Sequence, residues 1–153
     1  MPDATFFRET LLFGELPETD LEVIVSQSND RDLRRGDIIF REEDPPDEIY
    51  IVLSGRIAIV NKSIDGRESM VALMESGDLF GEMGLFDGKG RSAQARALED
   101  SVVTANPYEP VRSLYESNPI FLWQVIELLA GRLRILVEAR AVSVILDVTG
   151  RPA

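Results

Sequence analysis

The chain has 153 residues, with 16 basic against 27 acidic side chains, a net charge of −11, and neither histidine nor cysteine. The missing cysteine excludes disulfides, thiolate nucleophiles and cysteine-held metal clusters, and the missing histidine excludes Ser–His triads, histidine-ligated haem and imidazole metal sites. Apolar and charged fractions of 44% and 28% are typical of one globular domain with a core of its own.

Two features bear on where the protein works. No apolar run approaches the roughly 20 residues of a membrane-spanning helix, and the first residues lack the pattern of a signal peptide. We therefore expect a cytoplasmic protein. The strongly negative charge argues against this chain itself lying along nucleic acid, which would repel it.

Residues 1–30 are predicted to form an N-terminal helical segment. Pro17 and the acids among residues 18–20 are helix-start signals, and apolar side chains follow them in residues 21–25. We interpret this segment as helix packed at the edge of the domain.

Residues 31–106 are predicted to form the sheet region. Turns such as Ser54-Gly55 and Asp65-Gly66 are typical of hairpins, because glycine adopts positive φ without strain. Their spacing of roughly ten residues predicts a small antiparallel barrel or sandwich. The acid-rich stretch 41–48 lacks the ligand spacing of an EF-hand and is predicted to be a solvated loop. The β-branched runs are 38–40, 49–53, 57–60, 70–74 and 102–104.

Residues 107–146 are predicted to be helical, with a short helix to Ser117, a restart at Asn118-Pro119 and a long helix to about Leu146. The long helix has two apolar stripes, whereas packing on one barrel needs only one. We interpret the second as a parallel homodimer seam; the alternative is a longer packing surface within the chain. The packing stripe is Leu122, Ile126, Leu129, Leu133 and Leu136. The seam, interrupted by Arg132, is Val125, Leu128, Ile135, Ala139, Val142 and Leu146. Trp123 and the phenylalanines are predicted to be core residues.

Residues 78–97 carry the chemistry. Gly81 permits a sharp turn, residues 82–86 suffice for one helical turn, and two further glycines return the chain to Arg91-Ser92-Ala93. A guanidinium, a hydroxyl and backbone amides would then converge on a site that suits a singly charged phosphodiester. Glu82 would repel a phosphate, so its useful role is to accept hydrogen bonds from hydroxyls, as from a ribose. Two alternatives stay open: glycines that serve turns only, and Arg91 as a surface ion-pair partner of Asp87.

The order Gly-Glu, apolar run, Arg-Ser-Ala resembles the phosphate-binding cassette of cyclic-nucleotide-binding domains, in particular the sensor half of the bacterial cyclic-AMP receptor protein (CRP/FNR) family of transcription regulators. The match covers nearly the whole chain, including Gly55, Gly77-Asp78, the long helix and a hinge-like stretch at 146–151. The resemblance implies a mostly β fold: an antiparallel β-roll (a jelly-roll-like double-stranded β-helix) with N-terminal helices and a long C-terminal dimerisation helix. It also implies cyclic AMP as an allosteric ligand.

The resemblance implies roles for individual positions. Gly81 and Glu82 match the residues that hold the ribose, Arg91 and Ser92 match the phosphate ligands, and Ala93 offers its backbone amide. Family members use polar side chains on the long helix to reach the base; the matching positions here are Leu136 and Val137, both apolar. Three interpretations remain: packing and backbone groups hold the base, the ligand is not cyclic AMP, or ligand control has weakened.

The predicted function is a cyclic-nucleotide-sensing and dimerisation domain of a transcription regulator. Residues 147–153 would begin a hinge to a winged helix-turn-helix domain, and we expect that DNA-binding half to be absent from this chain. The alternatives are a constitutive dimerisation scaffold and a sensor of another small ligand. We expect no catalysis and no metal site, because Glu82 sits opposite an arginine and no second carboxylate is visibly paired with it.

Overall fold

A computed structural model describes residues 4–148, with the side chains described as far as Glu138. Five helices and eight strands occur in this part of the chain. The helices are α1 (Ala4–Arg8), α2 (Glu18–Ser26), α3 (Met83–Asp87), α4 (Tyr108–Ser117) and α5 (Leu122–Val148), with a 3-10 turn at Pro119–Phe121 before α5. The strands are β1 (Asn29–Leu33), β2 (Ile38–Phe40), β3 (Glu48–Ser54), β4 (Ile57–Lys62), β5 (Glu68–Met74), β6 (Leu79–Phe80), β7 (Gln94–Ala97) and β8 (Ser101–Pro107).

The strands form two four-stranded sheets with the orders β1-β8-β3-β6 and β2-β7-β4-β5, and every pairing is antiparallel. One core cluster lies between the two sheets, because both contribute its side chains: Tyr50, Val52, Phe80, Val103 and Ala105 from the first, and Ile57, Ala95 and Ala97 from the second. This arrangement confirms the predicted mostly β architecture with N-terminal helices and a long C-terminal helix.

A second core covers the outer face of the first sheet. Ile49 and Ile51 point to this side, whereas Tyr50 and Val52 point into the space between the sheets. Strand β3 is therefore buried on both faces, which explains why its sequence is a continuous apolar run rather than an alternating one. Its other members include Phe7, Leu21, Ile24, Val111, Leu114 and Val125 from the helices, and Leu12, Phe13 and Leu16 from the segment between α1 and α2.

Of the α5 side chains described as far as Glu138, those that pack on this second core lie at the beginning of the helix. Val125 is buried with 4% exposure, and Phe121 and Leu122 pack against the same cluster. The prediction that Val125 belongs to a dimer seam is wrong, because the chain's own core already covers it. Leu128 is half-buried. The predicted packing residues Ile126, Leu129 and Leu133 are instead 53%, 38% and 62% exposed.

Two further assignments on α5 change. Trp123, predicted to be core, is 70% exposed, because it faces away from the side of the helix that carries Val125. Ile135 is 67% exposed, and its place in a dimer seam stays a prediction. The side chains of Ala139, Val142 and Leu146, and the hinge residues from Thr149 onward, lie outside the described residues.

The restart before α5 differs in detail from the expected cap. The Asn118 side chain donates to the carbonyl oxygen of Leu114 at 3.3 Å, so it closes α4 rather than capping the next helix. Pro119 then occupies the first position of the 3-10 turn. Within the described residues, no helix is both long and apolar enough to cross a membrane.

Candidate functional site

The predicted cassette, residues 78–97, connects the two sheets. Gly81 permits the sharp turn with which it leaves β6. Strand β6 ends at Phe80, and Gly81 then adopts a φ of +87°. A Cβ on Gly81 would lie 3.1 Å from Nη1 of Arg91 and 3.2 Å from the carbonyl oxygen of Glu48. Glycine is therefore required here both by its backbone conformation and by the close approach of Arg91.

The acid-rich stretch 41–48 holds the returning arm of the cassette through its backbone. The Glu43 N–H donates to the Arg91 carbonyl at 2.8 Å, and the Arg91 N–H donates to the Asp44 carbonyl at 2.9 Å. Pro46 packs so closely on Gly84 that a Cβ there would come within 2.3 Å of it. The acidic side chains of this stretch are mostly exposed, as predicted for a solvated loop, but its main chain also fixes where Arg91 enters the site.

The Arg91 side chain turns inward and is only 6% exposed. Its Nη1 donates to the Gly81 carbonyl at 2.8 Å and to the Tyr108 hydroxyl at 3.2 Å, and its Nη2 donates to the Glu48 carbonyl at 2.9 Å. The guanidinium carbon also lies 4.2 Å from the centre of the Phe40 ring, within the range of a cation–π contact. The chain therefore holds this cation in place with neutral groups.

The charge of this guanidinium has no close counterion among the described residues, and its Nε has no acceptor there. Nε of Arg91 is buried and donates to no acceptor there. The one carboxylate found in range belongs to Asp47, 4.0 Å from Nη2, and the Asp47 side chain is 77% exposed. Asp87, the alternative partner, instead accepts from the Lys89 N–H at 2.9 Å. Nε shares one edge of the planar group with Nη2, and it is a buried donor that the described residues leave unused.

Glu82 lies at the other side of Gly81 and is 1% exposed. Its carboxylate forms an ion pair with the guanidinium of Arg132 on α5. Arg132 also donates to the Leu79 carbonyl at 3.1 Å, and its partial burial lowers the pKa of its guanidinium, opposed by the charge of Asp78. The cassette is thus tied to the long helix through a buried carboxylate.

The structure brings Gly81, Glu82 and Arg91 together, with Ser92 and Ala93 next in the chain. Ser92 is exposed and Ala93 is buried, directly before β7. Leu136 and Val137 are not buried against the two sheets. They lie one helical turn beyond Arg132 and are 64% and 58% exposed.

Sequence reasoning missed two residues of the site, Arg132 and Tyr108. The signal for Arg132 was present, since a cation interrupted an otherwise apolar stripe of the long helix. Tyr108 gave no signal, because it lies 17 residues from Arg91 in the chain and meets it only through the fold.

A cavity of about 300 Å³ lies beside Arg132, between the N-terminal segment, the turn before β6 and α5. Glu9 and Asp78 line it, and Arg91 does not. The cavity is therefore separate from the Arg91 side chain of the cassette.

Known proteins share these features. The model of the cyclic nucleotide-binding domain family matches residues 30–118, more than half of the chain. The CRP-like cAMP-activated global transcriptional regulator of Mycobacterium tuberculosis is 30% identical over 142 residues, 93% of this chain and 63% of that protein. The chain therefore spans less than two thirds of that relative.

Two solved structures are also similar. The catabolite activator protein of Thermus thermophilus has a TM-score of 0.74 and 32% identity, covering 88% of this chain and 63% of that one. The regulatory domain of Toxoplasma gondii PKA with cAMP has a TM-score of 0.68 and 26% identity, covering 71% and 41%. The relatives are regulators rather than enzymes. With its cassette, its two-sheet roll and its long final helix, the chain belongs to the cyclic nucleotide-binding domain family, among the relatives of CRP-like transcription regulators.

Proposed function

We propose that this chain is the cyclic-nucleotide-sensing and dimerisation domain of a transcription regulator, with cyclic AMP as its ligand. The observation that carries the proposal is Arg91: a cation 6% exposed, anchored by neutral groups, with its Nε unpartnered among the described residues. A buried charge without a close counterion is costly, and a bound anion removes that cost.

The chemistry of the site fits a cyclic phosphodiester in one orientation. Arg91 supplies the balancing charge and a forked pair of donors, and the Ser92 hydroxyl and the Ala93 amide add two more. Glu82 repels the phosphate and accepts a hydrogen bond from the ribose 2′-hydroxyl. The two charged side chains flank Gly81, so they order phosphate and ribose along the cassette.

Ligand binding reaches the long helix through Glu82. A ribose hydroxyl on Glu82 competes with Arg132, so the ligand favours positions of α5 in which that ion pair is altered. The apolar side chains that α5 exposes pair with a second copy, making the homodimer. Residues 147–153 pass the shift to a DNA-binding domain, which alone contacts DNA.

One observation favours a second candidate, a sensor of a different ligand or a constitutive dimerisation scaffold with the same fold. Leu136 and Val137 are apolar and exposed, so this helix offers no polar side chain at the positions matched to base recognition.

Calorimetric titration of the domain with cyclic AMP and cyclic GMP tests the proposal. We expect saturable binding that Arg91→Ala weakens by about 10- to 100-fold, since it removes a charge-assisted pair of hydrogen bonds. Arg96→Ala is the matched control, because Arg96 lies on β7 in the same segment but pairs with Glu68 at 2.9 Å. No saturable heat with either nucleotide would favour the second candidate.

A further inference from the structure

The hydroxyl of Tyr108 lies between the two groups that define the phosphate side of the cassette. Tyr108 is the first residue of α4 and is 5% exposed, and its N–H donates to the Asp47 carbonyl at 2.9 Å. Its hydroxyl forms a hydrogen bond with the Gly81 carbonyl and lies 3.2 Å from Nη1 of Arg91. One side chain from a helix outside the barrel therefore touches both arms of the cassette.

The direction of these hydrogen bonds is determined by chemistry. A guanidinium only donates and a carbonyl only accepts, so the tyrosine oxygen accepts from Arg91 and its proton goes to Gly81. Burial raises the pKa of Tyr108, so the phenol keeps the proton that this arrangement needs. Arg91 itself donates to the same Gly81 carbonyl at 2.8 Å, which closes a three-membered cluster.

Nη1 donates to both Gly81 and Tyr108, whose two acceptor oxygens are hydrogen-bonded to each other. Nη1 lies on the side of the guanidinium opposite Nε, the atom without a partner. Holding the Nη1 side therefore orients the free edge. Without the tyrosine oxygen, Nη1 keeps only the Gly81 carbonyl as its acceptor, and the guanidinium gains freedom to rotate.

We propose that Tyr108 is a positioning residue of the anion site, which holds Arg91 so that its Nε edge faces the phosphodiester. This inference rests on the proposed function. It adds a residue from α4, outside the cassette, to the determinants of affinity.

The test is calorimetric titration of Tyr108→Phe with cyclic AMP. The variant keeps the ring and removes only the oxygen, and we expect binding about tenfold weaker, the effect of one hydrogen bond to a charged group. Tyr115→Phe is the matched control: Tyr115 is on the same helix, 4% exposed, and its hydroxyl also donates to a backbone carbonyl, that of Leu12 at 2.6 Å. We expect its affinity to equal that of the unchanged protein.

A second readout separates positioning from general loosening of the fold. The two phosphorothioate diastereomers of cyclic AMP place sulfur at one or the other exocyclic position, so a fixed guanidinium binds them unequally. We expect Tyr108→Phe to bring the ratio of their affinities closer to one and Tyr115→Phe to leave it unchanged.

The outcomes for the two proposals are distinguishable. If the unchanged protein binds and Tyr108→Phe matches Tyr115→Phe in affinity and ratio, the positioning role is overturned and the proposed function stands. If the unchanged protein binds neither nucleotide, the proposed function fails and the positioning role fails with it.

Discussion

Two arginines meet the cassette, and they are held in opposite ways. Arg91 is buried among carbonyl oxygens and aromatic rings and lacks a close buried carboxylate among the described residues. Arg132 reaches in from α5, remains 38% exposed and pairs with Glu82. A new anion therefore gains most at Arg91, whereas Arg132 already serves to neutralise a buried carboxylate.

Arg132→Ala should lower the free energy of unfolding by about 1 to 3 kcal/mol, because it leaves the Glu82 carboxylate buried without its counterion. The exposure of Arg132 keeps the loss below that of a fully buried pair. Urea denaturation measures it, with Arg134→Ala, at an exposed position on the same helix, as control. Equal stability of the two variants would show that the ion pair contributes nothing.

The cassette residues were predictable one by one, because their spacing is local. Gly81, Glu82 and Arg91 lie within eleven consecutive positions, and the turn glycines between them set the geometry. The alternative in which Arg91 pairs with Asp87 fails, because Arg91 is drawn inward by the carbonyls of Gly81 and Glu48. The Glu48 carbonyl lies on β3, 43 residues away in the chain, so it could not be identified from spacing.

At the scale of elements, α5 changes its surroundings along its length. Its first turns pack on the second core through Val125, and the apolar side chains described between Arg132 and Glu138 are all exposed. A contiguous group of exposed apolar side chains of this size is typical of a surface that binds another protein, and it supports the homodimer proposed above. They are Trp123, Ile126, Leu129, Leu133, Ile135, Leu136 and Val137.

Leu133→Asp should weaken the proposed homodimer, because it places a charge on the apolar surface of α5, where Leu133 is 62% exposed. Light scattering across a concentration series should show a dimer for the unchanged chain and a shift toward monomer for the variant. Val23→Asp is the control, since Val23 is 52% exposed but lies on α2. A monomer mass for the unchanged chain at high concentration would contradict the dimer.

The local pattern of apolar runs and turn residues predicted some strands better than others. Strands β2 to β5 were recognised because β-branched runs alternate with glycine turns. Strand β1 has the sequence Asn-Asp-Arg-Asp-Leu and spans the predicted boundary at residues 30 and 31, and none of the predicted apolar runs included it. It is a strand because its backbone pairs with β8, from Asn29 with Ala105 to Leu33 with Ser101. Main-chain pairing with a distant partner leaves no side-chain pattern in the strand itself.

At the scale of the whole molecule, buried tyrosines link the layers. Tyr50 packs between the sheets, Tyr108 joins α4 to the cassette, and Tyr115 joins α4 to the N-terminal segment. Burial, aided by the charge of Glu48, raises the pKa of Tyr50 to about 12, and burial also raises the pKa of Tyr108 and of Tyr115.

These shifts predict alkaline unfolding. Below the ordinary tyrosine pKa of 10.0 all three phenols are protonated in both states, so their stabilising contribution is fully present. As the pH rises from 10 to about 12, the unfolded chain loses these protons first and the free energy of unfolding falls. Urea denaturation across this range, with tyrosinate absorbance as a direct titration, measures the effect. Tyr50→Phe should flatten the slope, and an unchanged slope would contradict the assignment.

By itself, the sequence determined the class of fold, the cassette and the residues that flank Gly81, because turns, caps and β-branched runs act over a few neighbouring positions. Only the tertiary structure decided which face of α5 is buried, that Trp123 is exposed, that Arg132 neutralises Glu82 and that Tyr108 holds Arg91. An amphipathic pattern shows that a helix has apolar faces, but the core it meets decides which face is covered. Contacts between residues far apart in the chain depend on that packing, and spacing alone cannot supply them.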